Sequence, residues 1–385
     1  MKIALCIEYP IAQAGGVSVL VLTLIREFVT DFEIVLVSPD DDASLAEAKL
    51  GSIIQNHVRW SPTHISAESA CALADQIARA GVALAHFHFG GNFGWNNRRP
   101  ARCPIPALAK HGVPIVTTIH MAVGLLHGYC GPQRPLLIKL GLLPFAWLNK
   151  QRVLRHVRRE ITVSRWDYNR LRSWYWPMRN KFTCIYHSRI QDPGELLSPT
   201  PREPVILGVG HIASRKGQVV LAEAFAKIAG RHPGWKLQFA GHVGDENCRQ
   251  QVAQIAARIA PGQIELLGQR DDTSALQRRA TIYVQPSFHE GLPLSLQEAL
   301  WQGCACVATS IPGNIELVEH GRNGLLVPPG NPDAMAETLS RLITDPALRG
   351  RLAACGRAGV LAKGMTAGQM IQHHRALYAG ILAAS

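Results

Sequence analysis

The sequence predicts an α/β protein of two β-α-β domains, each a parallel sheet wrapped by helices, facing one another across a cleft. Short apolar runs of strand length alternate with helix-length stretches from end to end. A stretch with four prolines and little apolar content, Gln191 to Pro204, parts the chain into halves of similar size. The length of 385 residues suits two domains of ~100–200 residues each, and 47% hydrophobic against 18% charged residues excludes disordered, collagen-like and coiled-coil chains.

In the first half, Lys2 to Ile7 reads as a strand, Gly15-Gly16 as a turn, Val17 to Phe28 as a helix and Ile34 to Ser38 as a second strand. Further strands are expected at Leu84 to Phe89, Ile115 to Ile119, Ile161 to Val163 and Phe182 to Tyr186, with a helix over Ala67 to Ala80. The second half repeats the pattern. Strands are expected at Val205 to Val209, Lys236 to Ala240, Ile264 to Leu267, Ile282 to Gln285, Cys304 to Ala308 and Gly324 to Val327. Helices are expected at Gln218 to Ala229 and Ala367 to Ala383. The domain boundaries read from this are 1–190 and 204–362, with 363–385 a terminal helix returning to the first domain. Ligands of open parallel sheets bind outside the carboxyl ends of the strands, so the cleft is the expected site.

The net charge of +12 is regional, for Arg98 to Ile190 carries +15 with only Glu160 and Asp167 as acids. Trp147, Trp166, Trp174 and Trp176 are interleaved, a composition that favours an anionic partner. Nucleic acid is the weakest such partner, because no reading module is recognisable. An anionic membrane is a stronger one. Leu136 to Arg159 sets Leu, Ile, Phe and Trp beside Lys150, Arg152, Arg155, Arg158 and Arg159, although Lys139 and Pro144 interrupt the apolar run and it is too short to span a bilayer. Nine cysteines, an odd number without C-x-x-C spacing, predict reduced and mostly buried thiols and a cytosolic setting. Glu8 interrupts the first apolar run after five residues and no cleavage site follows, so export is not expected.

Two constellations carry chemistry. Pro286 to Leu300 (P-S-F-H-E-G-L-P-L-S-L-Q-E-A-L) places Glu290 in a tight Gly291, Leu292, Pro293 turn and Glu298 in the helix that follows. The helix N-terminus, near Leu294 and Ser295, presents N–H groups suited to phosphate, and a carboxylate at 298 can accept hydrogen bonds from a ribose diol. The second constellation is G-V-G-H-I-A-S-R-K-G, from Gly208 to Gly217, between a strand and a helix. Its glycines, Gly210 among them, admit a ligand close to the backbone, and Arg215 and Lys216 can neutralise a diphosphate. It is neither a dinucleotide fingerprint nor a Walker loop.

Together with Phe239-Ala-Gly241, Leu267-Gly268, Gln285-Pro286-Ser287, Thr309 to Glu316 and Asn323 to Val327, these motifs resemble the glycosyltransferase family 4 group, nucleotide-sugar-dependent enzymes of the two-Rossmann GT-B fold. The resemblance spans about half the chain and is close in the second domain. In the first it rests on Gly15-Gly16, His86-x-His88, Thr118-x-His120 and Val163-Ser164.

It implies retaining transfer of a sugar from a nucleoside diphosphate donor, bound by the second domain, to an acceptor bound by the first, with no cofactor and no obligatory metal. The acceptor would be a saccharide or a lipid-linked growing polymer, met at the cytoplasmic face of a membrane. By the same resemblance Lys216 binds the diphosphate with Arg215, Glu298 the ribose, and Glu290 lies beside the transferred sugar. Gly210, His211, Gly241, Gly291, Leu292, Leu294 and Ser295 surround the donor, Gln269 and Arg270 border the base, His120 lies near the reacting centre and Gly15-Gly16 approach the diphosphate. His211 stands where the family usually has Arg, so that contact is lost or passes to Arg215; His187-Ser188 stand where Asn-Gly is usual. A sugar-nucleotide epimerase and a non-catalytic nucleotide-binding scaffold are the alternatives on this fold.

Overall fold

The computed structural model describes residues 1–11, 15–61, 66–91, 93–122, 135–191 and 201–384. The chain forms two compact units, Met1–His187 with the segment from Gly368 onward, and Ser188–Ala367. Each is built on one fully parallel sheet, which buries both faces under helices and so accounts for the near-continuous apolar strands of the sequence.

The first unit has seven strands: β1 (Lys2–Ile7), β2 (Glu33–Ser38), β3 (Asn56–Arg59), β4 (Leu84–Phe89), β5 (Ile115–Ile119), β6 (Arg159–Thr162) and β7 (Phe182–Cys184), in the order β3-β2-β1-β4-β5-β6-β7. Ile3, Leu5 and Ile7 on one face of β1 pack with Leu20, Leu24 and Phe28 of the Gly16–Phe28 helix and with Met370, Ile371 and Tyr378 of the terminal Ala367–Ala383 helix. The opposite face carries a separate core around Phe87, Trp95, Leu108 and Tyr175.

The second unit has six: β8 (Glu203–Val209), β9 (Lys236–Ala240), β10 (Ile264–Leu266), β11 (Ala280–Gln285), β12 (Ala305–Thr309) and β13 (Leu325–Val327), in the order β10-β9-β8-β11-β12-β13. In both sheets the first strand lies beside a strand added later on its other side, β1 next to β4 and β8 next to β11. The order reverses there, leaving a crevice at the carboxyl ends where loops diverge.

Several sequence expectations are corrected. β3, with only Val58 buried, has too little apolar character to be read as a strand, yet it pairs in register with β2. β8 begins at Glu203, inside the proline-rich segment, while 192–200 lie outside the described residues. The interrupted apolar run lies on one helix, Leu136–Leu154, continuous through Pro144. Lys150 does not face outward: its ammonium lies 2.7 Å from Oε2 of Glu160, and both side chains are fully buried. Asp40 is also buried; its carboxylate accepts the Ile11 N–H at 2.8 and 2.9 Å, and Asp41 caps the Asp42–Glu47 helix. Of the described cysteines, Cys6, Cys103, Cys248, Cys304 and Cys306 are buried free thiols, whereas Cys71 is exposed.

Candidate active site

In the second unit the candidate residues gather at the β8/β11 reversal. β8 runs into Gly210, whose φ of +149° lies in the region that favours glycine; a Cβ there would come within 3.9 Å of Cε of Lys216. Gly241, at the end of β9, has φ +154°, and a Cβ on it would strike the Gly210 carbonyl oxygen at 2.1 Å, so these two glycines let neighbouring strand ends close together. The chain then makes the 3-10 turn Ser214–Lys216 and enters the Gln218–Ala229 helix through Gly217, at φ +71°. A Cβ at Gly217 would overlap the Pro286 carbonyl at 2.1 Å, which locks this loop onto the one that follows β11. The Phe288 N–H donates to the Arg215 carbonyl at 2.9 Å and completes the clamp.

That clamp sets Lys216 against Glu290. Nζ lies 2.7 Å from Oε1, and the same oxygen accepts from Ser287 Oγ at 2.7 Å and Gln285 Nε2 at 3.0 Å. Gln285 is oriented in turn by Tyr283, whose hydroxyl donates to it at 2.8 Å, and by Ser295 at 3.2 Å. Burial pushes the Glu290 carboxyl up, but the Lys216 charge and the Lys216 and Ser287 hydrogen bonds outweigh it and hold the group below the usual carboxylate range. Glu290 is therefore an ionised, largely buried carboxylate with a cation at its side. Gly313 supports the loop from beneath, where a Cβ would meet the Glu290 and Gly291 carbonyls at 2.7 and 2.8 Å.

The helix Leu294–Trp301 starts just beyond, with Pro293 as its N-cap, and no side chain caps it. Gly291 and Leu292 are buried, while Leu294 and Ser295 are partly accessible at its N-terminus. Glu298, one turn in, is gripped by Arg189, with Nε 2.7 Å and Nη2 2.5 Å from Oε1. Burial raises the Glu298 carboxyl in spite of Arg189. The His211 ring lies against that of His242, centroids 3.9 Å apart and the planes tilted by 58°, and Gln218 Nε2 donates to the His211 carbonyl at 2.7 Å. Arg215 is exposed, with Nη1 3.4 Å from the His289 carbonyl. Gln269 and Arg270 are exposed beyond β10, and Asp272 holds the Arg270 guanidinium at 2.7 and 2.8 Å.

In the first unit the candidates lie at the carboxyl ends of β1, β4 and β5. Gly15 caps the Gly16–Phe28 helix with extended backbone, and a Cβ at Gly16 would meet nothing within 4 Å. Neither φ nor packing requires glycine at 16. His120 follows β5, its Nε2 3.2 Å from Nδ1 of His88 and its ring 4.9 Å from that of His187. His86 bonds Tyr378 at 2.6 Å and Thr118 at 2.7 Å, and its ring lies 4.1 Å from His88 and 5.9 Å from His374. Burial and the neighbouring rings pull all five imidazoles down, His120 to about 3 and His374 to about 4, so they stand neutral. Their nitrogens do not converge: among the described residues no three His, Cys, Asp or Glu gather to hold a metal ion.

Sequence reasoning gave no role to Arg189, Gln285, Ser287, His374 or Glu8. Glu8 follows β1 and accepts the Trp95 N–H; burial, against that hydrogen bond and Arg98, pushes its carboxyl up to about 7. Its signal was present as the one charge that ends the first apolar run. Trp95 and Asn96, at φ +50° and +53°, shape the loop that delivers the N–H.

Two family models match, "Glycosyltransferase Family 4" over residues 14–188 and "Glycosyl transferases group 1" over 203–345, one in each unit. The chain is 31% identical over 159 residues to a lipopolysaccharide core biosynthesis glycosyltransferase of Rhizobium meliloti (41% of this chain, 45% of the relative). It is 33% identical over 153 residues to a phosphatidyl-myo-inositol mannosyltransferase of Mycobacterium tuberculosis (38% and 39%). It spans less than half the length of the curated relatives it matches. Among solved structures, a glycosyltransferase from Rickettsia africae aligns with TM-score 0.77 at 18% identity, covering 100% of this chain and 99% of that one. An Anabaena protein in complex with UDP aligns with TM-score 0.75 at 17% identity, covering 99% and 100%. At those identities the likeness is one of fold, and the fold is GT-B. With a family model seated on each of its two parallel-sheet units, the chain belongs to the glycosyltransferase family 4 group.

Proposed function

We propose that this protein transfers a sugar from a nucleoside diphosphate donor, bound by the second unit, to a saccharide or lipid-linked acceptor met by the first, with retention of anomeric configuration and no obligatory metal. The carrying observation is the Lys216–Glu290 contact beside an uncapped helix N-terminus. As the glycosidic bond to the diphosphate breaks, negative charge grows on the departing phosphate. Lys216, Arg215 and the N–H groups at Leu294 and Ser295 are preorganised to stabilise it, the kind of electrostatic contribution that usually dominates catalysis. Glu290 stays ionised beside the sugar, where positive character develops. Glu298 binds the ribose with Arg189 holding its carboxylate in place, Gln269 and Arg270 border the base, and His211 and Gly241 line the phosphate side. His120, neutral, accepts a hydrogen bond from the acceptor, and Gly15-Gly16 leave room for the diphosphate.

The names of the relatives, one acting in lipopolysaccharide core biosynthesis and one on phosphatidyl-myo-inositol, support an acceptor of cell-surface polymer or lipid chemistry. The first half of the Leu136–Leu154 helix agrees with this. Leu136, Leu137, Leu140, Phe145 and Leu148 are exposed, Leu137 at 83% and Phe145 at 60%, on a segment without acids. No helix among the described residues is long and apolar enough to cross a membrane. We therefore assign peripheral association with the cytoplasmic face of an anionic membrane, through shallow insertion of this helix. The test is incubation with UDP-, GDP- and ADP-sugars and saccharide or lipid-linked acceptors, with the product's anomeric coupling read by proton NMR. Retention is expected; an inverted product would overturn the retaining assignment, and an epimerised donor without transfer would favour the epimerase.

A further inference from the structure

At the amino ends of β5, β6 and β7, the reverse edge of the first unit's sheet, lies a concavity of about 400 Å³. Gly112, Val113 and Pro114 line one side, Arg155 to Arg159 the second and Asn180 with Lys181 the third. β5 alone separates this edge from His120 by ~16 Å, at ~3.3 Å per residue. It is thus no part of the site described above.

Its chemistry is one-sided. Arg155, Arg158, Arg159 and Lys181 line it without a carboxylate, and among the described residues no ion pair uses any of them. Lys181 is fixed, its ammonium donating to the Leu154, Arg155 and Val157 carbonyls at 2.8, 2.9 and 2.7 Å. Arg159 Nη1 donates to the Arg158 carbonyl at 3.0 Å, and the Arg158 N–H ties the turn to the Ile115 carbonyl at 2.8 Å. The cations are close enough to oppose one another: burial and then Arg158 and Arg159 lower the Lys181 ammonium, and burial with Lys181, Arg155 and Lys110 lowers His156. A merely solvated basic face would spread such charges apart. Here they converge on a hollow whose volume is within the range of ligand sites, and a bound anion would relieve the crowding.

We propose that this concavity is an anion site for a phosphate-bearing ligand, separate from the nucleotide groups of the second unit. Guanidinium forks match phosphate oxygens, and several cations around one hollow select a group with more than one negative charge over a single carboxylate. The same chemistry is offered by a soluble phosphate and by a phospholipid headgroup.

The probe is pyrophosphate, titrated into the full chain while the His156 ring proton is followed by NMR, with its resonance assigned by its loss in His156→Gln. Saturable binding that raises the His156 pKa is expected. The affinity should fall at least tenfold in Arg155→Ala/Arg158→Ala, whose side chains are exposed and whose thermal midpoint should stay at the parent's, and should survive in Lys216→Ala. Phosphatidylglycerol vesicles that displace pyrophosphate, where phosphatidylcholine vesicles do not, would identify a headgroup as the ligand. Failure of both to displace it would identify a soluble phosphate. A His156 signal indifferent to pyrophosphate, or an unchanged affinity in the double variant, would overturn the proposal.

Discussion

Nζ of Lys216 lies 2.7 Å from Oε1 of Glu290, and the Ser287 hydroxyl reaches the same oxygen at 2.7 Å. The contact ties the glycine loop after β8 to the loop after β11, so the group assigned to the diphosphate and the group assigned to the sugar are held by one another. Removing either charge leaves the other uncompensated in a largely buried place.

Lys216→Ala should therefore weaken nucleoside diphosphate binding roughly ten- to hundredfold, the equivalent of ~1.5–3 kcal/mol for a charge-assisted contact. It should also raise the Glu290 carboxyl, since Lys216 is what holds it down. Calorimetric titration with UDP, GDP and ADP reads the first effect. An unchanged affinity in a folded variant would remove Lys216 from the donor site.

Glu298→Gln should lose about tenfold in donor affinity, because a charged acceptor becomes a neutral one for the ribose diol. The parent should discriminate against a 2′,3′-dideoxy donor and the variant should not. Equal discrimination by both would assign Glu298 to holding Arg189 alone.

Gly16→Ala separates ligand from fold. With open space around its Cβ and no positive φ, alanine at the start of the Gly16–Phe28 helix should leave stability unchanged or raise it by ~0.4–1 kcal/mol. If the Gly15-Gly16 turn takes the proposed part in diphosphate binding, transfer should slow at least tenfold. A variant as active as the parent would free the Gly15-Gly16 turn from any role in binding.

The four buried histidines and the half-buried His120 fix the sign of the pH dependence of stability. Their folded pKa values are depressed, so below about pH 6.5 the unfolded chain takes up protons that the native state refuses. Stability should be complete above that pH and be lost as pH falls toward 4 and 3, by up to ~1.4 kcal/mol per pH unit for each histidine. Glu8 works the other way: raised to about 7, it favours the native state below its unfolded pKa and loses that contribution as pH rises through 7. One carboxyl opposes five imidazoles, and calorimetry from pH 7.5 to 4.5 should show a falling midpoint with proton uptake on unfolding. A flat midpoint would contradict the neutral cluster.

Activity should persist in EDTA, since the proposed donor site meets the diphosphate charge with Arg215, Lys216 and a helix terminus. Loss restored by magnesium or manganese would place a metal in the reaction.

How much was legible in the sequence follows from what kind of signal each element carries. The central strands of both sheets are rich in apolar residues, and Leu84–Phe89, Ile115–Ile119 and Lys236–Ala240 were readable to the residue. An edge strand such as Asn56–Arg59 has one buried side chain and leaves no periodicity to find. Glu290, Lys216 and Glu298 stand out because glycines and prolines crowd around them. Arg189 does not: it meets Glu298 across 109 residues, a relation that only the folded chain creates. Lys150 shows the converse, a basic residue in a basic stretch that tertiary structure turns inward to Glu160. The histidine cluster was half visible, as H-x-H at a strand end. Its remaining members arrive from residues 120, 187 and 374, on three separate segments.

The most direct measurement of the central claim is nucleoside diphosphate release from UDP-, GDP- and ADP-sugars by the full chain, with and without candidate acceptors, in the parent and in Lys216→Ala. The account predicts that at least one donor releases its diphosphate slowly by hydrolysis and faster when an acceptor is present, with both rates cut by Lys216→Ala. Binding of a nucleotide sugar without release under any acceptor would leave a nucleotide-binding scaffold, and release unaffected by Lys216→Ala would contradict the site.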